Sequence, residues 1–426
     1  MTRQLLVLVS RVVGNLDIVH WQPEDFSHPC LFAEAGGLRY VFDLETPRTP
    51  VSLKSPFAAG GGHVEDWEVV EAILDYSLGE RLQVNAASGT GRESPSPTLA
   101  GHPFLLAEHI NAPKEDRETW CELLFETYDA AGVFIARSGT LALYANAKTT
   151  GIAVDMGAGG TQITPVQDGF ALMEHAYLHP VGGALLDACI ADRLDRAGAR
   201  LDARVLLPFQ KMRSYYSSES YHAWLIARTV RELKQSLCQV ASSSLESTDL
   251  GETAAISFEL PDGTHVGVGL ERFAVPELVF NPAPLLHAEH GPNVMGSLHL
   301  VGQVAGATAA SSASPSFLRL CGLHDAIASV ASSCDHESRH DLVSGLVLAG
   351  AASRLRGLHA RLEREFSALA VPCRMRPRLA FATKEQALGT WLGGSILGSL
   401  SGFPELWFRK AEYYEHGGWM VHKKCP

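Results

Sequence analysis

At 426 residues the chain exceeds the size at which one hydrophobic core keeps growing, so two domains are expected. Hydrophobic residues make up 46% of it and charged residues 19%, enough apolar content for two cores. The formal net charge of −12 is spread without long runs of one sign, which argues against direct nucleic-acid binding through electrostatics.

The chain opens with MTRQLLVLVSRVVGNLDIVHW. Its apolar run is β-branched, broken by Arg11 and without a signal-type cleavage site, so LLVLV reads as a buried first strand. FLLAEHI, VFIAR, GIAVDM, THVGVG and GLVLAG read as further short buried strands. EDWEVVEAILDYSL, RETWCELLFETY, GGALLDACIADRL, HAWLIARTVRELKQSLCQVA and RGLHARLEREFSAL carry apolar residues at helical spacing. The alternation of the two kinds predicts an α/β chain. Stretches 86–97 and 302–316, rich in Ser with Gly and Pro or Ala, read as exposed insertions. The eight cysteines fall singly, with no C-x-x-C pair, which fits a reducing compartment. No stretch reaches the roughly 18 uninterrupted apolar residues of a membrane helix, so no membrane contact is expected.

Residues 154–162 read VDMGAGGTQ. A strand runs into Asp155, then a turn with Gly157 and Gly159, then Thr161, a layout whose backbone N–H groups can surround an anion. Taken alone, the same pattern also serves as a plain tight turn.

Several stretches in order resemble the actin family. YANAKTTGIAVDMGAGGTQITPVQDGFAL (144–172) is similar to that family's second phosphate loop with its flanking strands, and RELKQSLCQVA (231–241) to the helix bordering the adenine. Segments 52–78, 260–282, 345–369 and 391–425 continue the resemblance to the end of the chain. It implies an actin-like α/β fold, the superfold shared with Hsp70 and sugar kinases, in which two related lobes flank a nucleotide cleft. The expected division is 1–150 with 391–426 for the first lobe, with one subdomain shortened, and 151–390 for the second.

By the same resemblance, Asp155, Gly157, Gly159, Thr161, Gly183, Arg231, Lys234 and Gly350 stand at positions of an ATP or ADP site. The departures from the family pattern decide the functional expectation. Val9 stands at the Asp of the first phosphate hairpin, no Lys follows it, and Ala158 replaces the second acid of the second loop. Loss of carboxylates weakens a Mg²⁺ site directly, because Mg²⁺ relies on oxygen ligands and ordered waters. Ser138 and Gln162 replace the Gln and His that position the attacking water. Gln235, Ala351, Leu355 and Ala387 replace groups around the nucleoside. The expectation is a degenerate site without catalysis and without a required cofactor; an ATP-binding cytoskeletal actin with slow hydrolysis is the alternative, and a kinase of the same superfold a distant third.

Cys321, His324, Cys334, His336 and His340 lie close in sequence, and His336 and His340 are one helical turn apart, but the set lacks zinc-finger spacing, so no metal is expected. HPCLFAEAGGLRYVFDLETPRTPV is shorter than the matching region of actins and lacks the loop that reaches the next subunit, so filament growth is not expected. Segment 201–224 is an expansion with basic and aromatic residues. Tyr144, Thr149, Phe170, Leu392, Ile396, Leu397 and Leu400 match the apolar cleft in which amphipathic helices of actin-binding proteins lie. The partners expected are therefore protein subunits of a cytoskeletal, axonemal or chromatin-associated assembly, conventional actin among them. A cytoplasmic, cytoskeletal location is favoured by the actin-like C-terminus, and a nuclear one is the alternative.

Overall fold

Apolar runs separated by Gly- and Pro-bearing turns build two larger sheets, beside two two-stranded ones, in the computed structural model, which describes residues 6–9, 32–33, 52–53, 56–57, 63–82, 84, 98–196, 198, 219–245, 254–260, 263–287, 321–368 and 386–426. The first phosphate hairpin beyond Val9, insertions 86–97 and 302–316, residues 201–218 and most of 28–51 lie outside the described residues. The strands that matter here are β1 (Leu6–Val9), β2 (Pro103–Glu108), β3 (Gly132–Arg137), β4 (Gly151–Met156), β5 (Thr161–Gln167), β6 (Phe170–Ala171), β7 (Tyr177–His179), β8 (Val347–Ala349) and β9 (Phe408–Arg409).

The first sheet has the order β1-β2-β3-β9, with β1, β2 and β3 parallel and β9 antiparallel to β3. The second has the order β8-β4-β5-β6, with β7 also on β5; β8 and β4 are parallel and the other pairs antiparallel. Strand β4 is buried along its whole length, and β2 and β3 over all but an end residue. Burial on both faces is why these strands read as continuous apolar runs. With helices on the sheets, the arrangement is the α/β fold that the sequence predicts.

Two large cores follow the sheets. Phe104, Leu105, Phe125, Tyr128 and Ile135 anchor the first, to which Phe408, Val421 and Cys425 come from the far end of the chain. Ile152, Val154, Leu186, Leu233, Ile327 and Leu348 anchor the second. The α-helical parts of two predicted helices are shorter than expected: Trp67–Asp75 and Lys114–Glu122 each continue into a π-helical turn, Tyr76–Arg81 and Leu123–Thr127. Among the described residues no helix is long and apolar enough to cross a membrane.

Four helices position the candidate site: α1 (Ser138–Tyr144), α2 (Gly183–Arg196), α3 (Glu219–Leu237) and α4 (Gly389–Ser399). Helices α1 and α4 cross closely between the sheets. A methyl group on Gly393 of α4 would overlap the Leu141 carbonyl, and one on Gly139 of α1 would sit 2.7 Å from Thr164 Cβ on β5. Glycine is what lets α1 touch a helix on one side and a strand on the other.

Candidate functional site

The site is assembled where β4 and β8 end. Asp155, 3% exposed, lies opposite Gln162 of β5 and in register with Ala349 of β8. Gly350 follows with φ +91°, and its Cα lies so close to Met156 O and Asp155 that a methyl group there would overlap the Met156 carbonyl. Only glycine combines that dihedral with that approach.

The Gly-rich turn is bonded inward. Gly157 N–H donates to Gly160 O at 2.9 Å, and Thr161 Oγ donates to Val181 O at 2.8 Å. The first N–H groups of α2, those of Gly183 and Ala184, donate to the carbonyls of Gly157 and Ala158 at 2.9 Å each. A helix N-terminus is a ready anion site only while its N–H groups are free. Here two of them are taken by the loop itself.

The cations expected beside the nucleoside have an internal partner. Lys234 Nζ on α3 lies 2.6 Å from Asp187 Oδ1 on α2 and donates to Gly183 O at 2.9 Å, while Arg231 Nε is 3.8 Å from Asp187 Oδ2. Burial holds the Asp187 carboxyl above its ordinary range, despite the pull of Lys234 and then Arg231 in the other direction. Sequence reasoning did not single out Asp187. The signal was available, since Gly183 and Asp187 share a helix face at i, i+4 and Arg231 and Lys234 another at i, i+3.

Ser138 and Gln162, at the water-positioning places, face each other. Ser138 Oγ donates to Gln162 Oε1 at 3.3 Å, and Ile110 N–H donates to the same oxygen at 3.0 Å. Both side chains are buried. The segment that carries Ile110 is fixed by a buried charge network. Glu108 accepts from Arg117 at 2.6 Å and from Arg137 at 2.9 Å, Arg137 also donates to His109 O, and Arg117 Nη1 donates to Cys425 O at 2.6 Å. His109 Nδ1 accepts from Asn111 N–H at 3.2 Å. Burial, with Arg137 nearby, pushes the His109 imidazole down to about 4, so at neutral pH it carries no charge.

The histidine and cysteine cluster is dispersed. Cys334 is buried with its Sγ on Val330 O, His340 is exposed beside Asp341, and His324 stacks near Phe280. Among the described residues no three His, Cys, Asp or Glu side chains converge so as to hold a metal ion.

At the opposite end of α1, Tyr144 and Thr149 meet the turn that precedes Phe170, and α4, which carries Leu392 and Ile396, crosses the same helix. Asp168 and Gly169, with φ +51° and +89°, form the two-residue turn between β5 and β6. Positive φ at both positions is the type I′ geometry that Asp-Gly supplies. Gly169 N–H donates to Thr149 O at 2.7 Å, and a methyl group on Gly169 would overlap the Tyr144 hydroxyl. Phe170 is 60% exposed, Ile396 45% and Leu400 54%, while Thr149 is exposed and Tyr144 and Leu392 are half-buried. Leu397 differs. It is buried in the first core with Leu141, because that side of α4 packs on α1, so it does not line an open cleft.

The actin family profile matches residues 23–426. The chain is similar to Actin-related protein 4 of Arabidopsis thaliana, 29% identical over 383 residues that cover 86% of this chain and 78% of the relative. It is also similar to Actin-related protein 4 of Oryza sativa, subspecies indica and japonica, each 28% identical over 395 residues covering 90% of this chain and 81% of the relative.

Proposed function

The chain belongs to the actin family, and from that premise we propose that it is a non-hydrolysing, non-polymerising structural subunit of a multi-protein assembly. The observation that carries the first part is the Ser138–Gln162 hydrogen bond, which joins the two side chains standing where a water would be oriented. An amide can orient water but cannot take its proton, and here both lone pairs of Gln162 Oε1 are already used by Ser138 Oγ and Ile110 N–H, so no base near neutral pH and no free amide oxygen face the site. The inward-bonded turn and the Lys234–Asp187 pair support the same reading, because phosphate would have to displace existing partners. Residues 1–150 with 391–426 and residues 151–390 are assigned to the two lobes. Titration with a fluorescent ATP analogue and a Mg²⁺-dependent ATPase assay test the proposal: tight binding with turnover would overturn it.

An ATP-binding cytoskeletal actin with slow hydrolysis is the second reading, favoured by the retained Asp155 and Lys234. The relatives carry the name of actin-related proteins, which supports the subunit reading. Docking of a partner's amphipathic helix is assigned to the exposed apolar residues Phe170, Ile396 and Leu400. Leu397→Asp would damage the core, so Ile396→Asp is the variant that tests it. Loss of partners in a pull-down from a folded variant is the expected result, and undiminished recovery would exclude the cleft. The host assembly is cytoskeletal, axonemal or chromatin-associated. Mass spectrometry of the recovered subunits, with imaging of a tagged chain in cytoplasm or nucleus, separates these.

A further inference from the structure

At the C-terminal end of α3, four cations meet a single carboxylate. Arg231 and Lys234 share Asp187. Just beyond the helix, Gln239 N–H donates to Arg272 O at 3.0 Å and Val240 N–H donates to Arg356 O at 2.7 Å, so residues 272 and 356 both border this segment. Burial pushes the Cys238 thiol up to about 11, against the pull of Lys234 and then Arg356, which places both cations near the same sulfur. Arg356 is exposed, and its guanidinium has no ion pair or acceptor among the described residues. Arg272 is half-buried. Its guanidinium carbon lies 4.8 Å from the centre of the Phe273 ring, and its Nε is buried without an acceptor among the described residues. The acids adjacent in sequence are engaged elsewhere, Glu232 with Arg228 and Glu271 with Gly269 N–H.

We infer that Arg272 and Arg356, beside the Arg231–Lys234–Asp187 group, hold a short acidic segment of a protein partner, with two or three Asp or Glu carboxylates set against the guanidinium groups. A guanidinium pairs with a carboxylate through two parallel hydrogen bonds, and arginine is enriched where proteins meet. The stacked Arg272 is held in one place before a partner arrives, which lowers the ordering cost of binding. A long polyanion is disfavoured, because the chain as a whole carries −12 and repels it at a distance. A triphosphate is disfavoured as well, since the Gly-rich turn and the first N–H groups of α2 are bonded to each other. The inference rests on the reading that ATP no longer fills this place, and it does not involve the apolar cleft.

The test uses the full chain and three synthetic peptides of one frame that differ at three positions: glutamate, glutamine or lysine. Fluorescence anisotropy with a neutral dye should show the glutamate peptide binding about tenfold tighter than the glutamine one, the sum of a few modest ion pairs, and the lysine peptide not binding. The gap should narrow as salt is raised. Arg356→Gln should weaken the glutamate peptide about fivefold and leave the glutamine peptide unchanged. Arg272→Gln should act in the same direction, with circular dichroism to show that it folds. Lys148→Gln, which removes an exposed cation bonded to Ser344 O, should change neither peptide. Equal affinities for the glutamate and glutamine peptides without ATP binding, or full affinity in Arg356→Gln, would overturn this inference alone. A fluorescent ATP analogue that binds tightly and excludes the glutamate peptide would overturn it together with the reading it rests on.

Discussion

Ser138 Oγ and Gln162 Oε1 lie 3.3 Å apart, bonded to each other at the end of α1 and on β5. Purified protein should therefore show no Mg²⁺-dependent ATP turnover above buffer. Ser138→Gln combined with Gln162→His should not restore it, because Ala158 and Val9 still lack carboxylates for the metal. Phosphate release at a rate that Asp155→Ala abolishes would show that the site works.

The Lys234–Asp187 pair is nearly buried, and burial outweighs its partners in setting the Asp187 carboxyl. A pair of this kind is costly to break on one side and less so to replace whole. Lys234→Ala should lower the urea-unfolding free energy by about 3 kcal/mol. Asp187→Leu with Lys234→Met should lower it by clearly less. Equal losses in the two variants would mean that packing, not the uncompensated carboxylate, sets the effect.

Stability should fall in mild acid. His179 is fully buried, donating Nε2–H to Cys321 O at 2.8 Å and accepting from Val181 N–H, and burial pushes it down to about 4, as it does His109. Both imidazoles are held neutral in the fold, while the unfolded chain binds protons below its ordinary value of 6.5. Their contribution is therefore complete above that value and is lost as pH falls toward 4, on the order of 3 kcal/mol for each. Urea midpoints followed downward from neutral pH should show the decline, with a shallower slope in His109→Gln. A flat profile would mean that these rings are not held neutral.

Gly393→Ala should be among the more damaging single-methyl changes, since the new carbon would overlap the Leu141 carbonyl and force α1 and α4 apart. A loss of about 2–3 kcal/mol is expected from overpacking against backbone. Gly402→Ala, where nothing lies within 4 Å of the new methyl, is the control. Similar melting temperatures for the two would show that the helices can separate without cost.

In polymerising salt the chain alone should stay monomeric in analytical ultracentrifugation, as the shortened 28–51 segment implies. Sedimentable filaments under the microscope would mean that a different surface makes the longitudinal contact.

The buried parallel strands were legible because burial on both faces leaves an apolar run, as in FLLAE and GVFIA. Strand β5, TQITPVQ, was legible only through the family resemblance and not from its own pattern, although it is buried except at Gln167. Its Thr, Gln and Pro residues mimic a loop, and their polar atoms are satisfied by partners far away in sequence, such as Ile110 for Gln162. The Asp-Gly pair at its end was a hairpin signal left unread. Leu397 shows the limit of helical spacing. On α4, Trp391, Leu392, Ile396 and Leu397 spread over more than half of the axis, so nothing in the pattern tells which apolar side meets α1. The Gly-rich turn after Asp155 was readable by spacing, whereas Asp187 had meaning only once α2 and α3 were side by side.

Arg117 holds the carbonyl of Cys425, 308 positions further along, and β9 pairs with β3 from residues 408–409. During synthesis the second core can close while the first still waits for its last strand. Until that end of the chain emerges, Gly132 and Val133 lack their strand partners and Ile135 N–H lacks Cys425 Sγ, which leaves the β3 edge open beside apolar side chains, the kind of edge that recruits wrong neighbours. The core that is translated first is thus the last to be sealed, and truncation of the final residues should harm yield from the ribosome before it harms anything measured on folded protein.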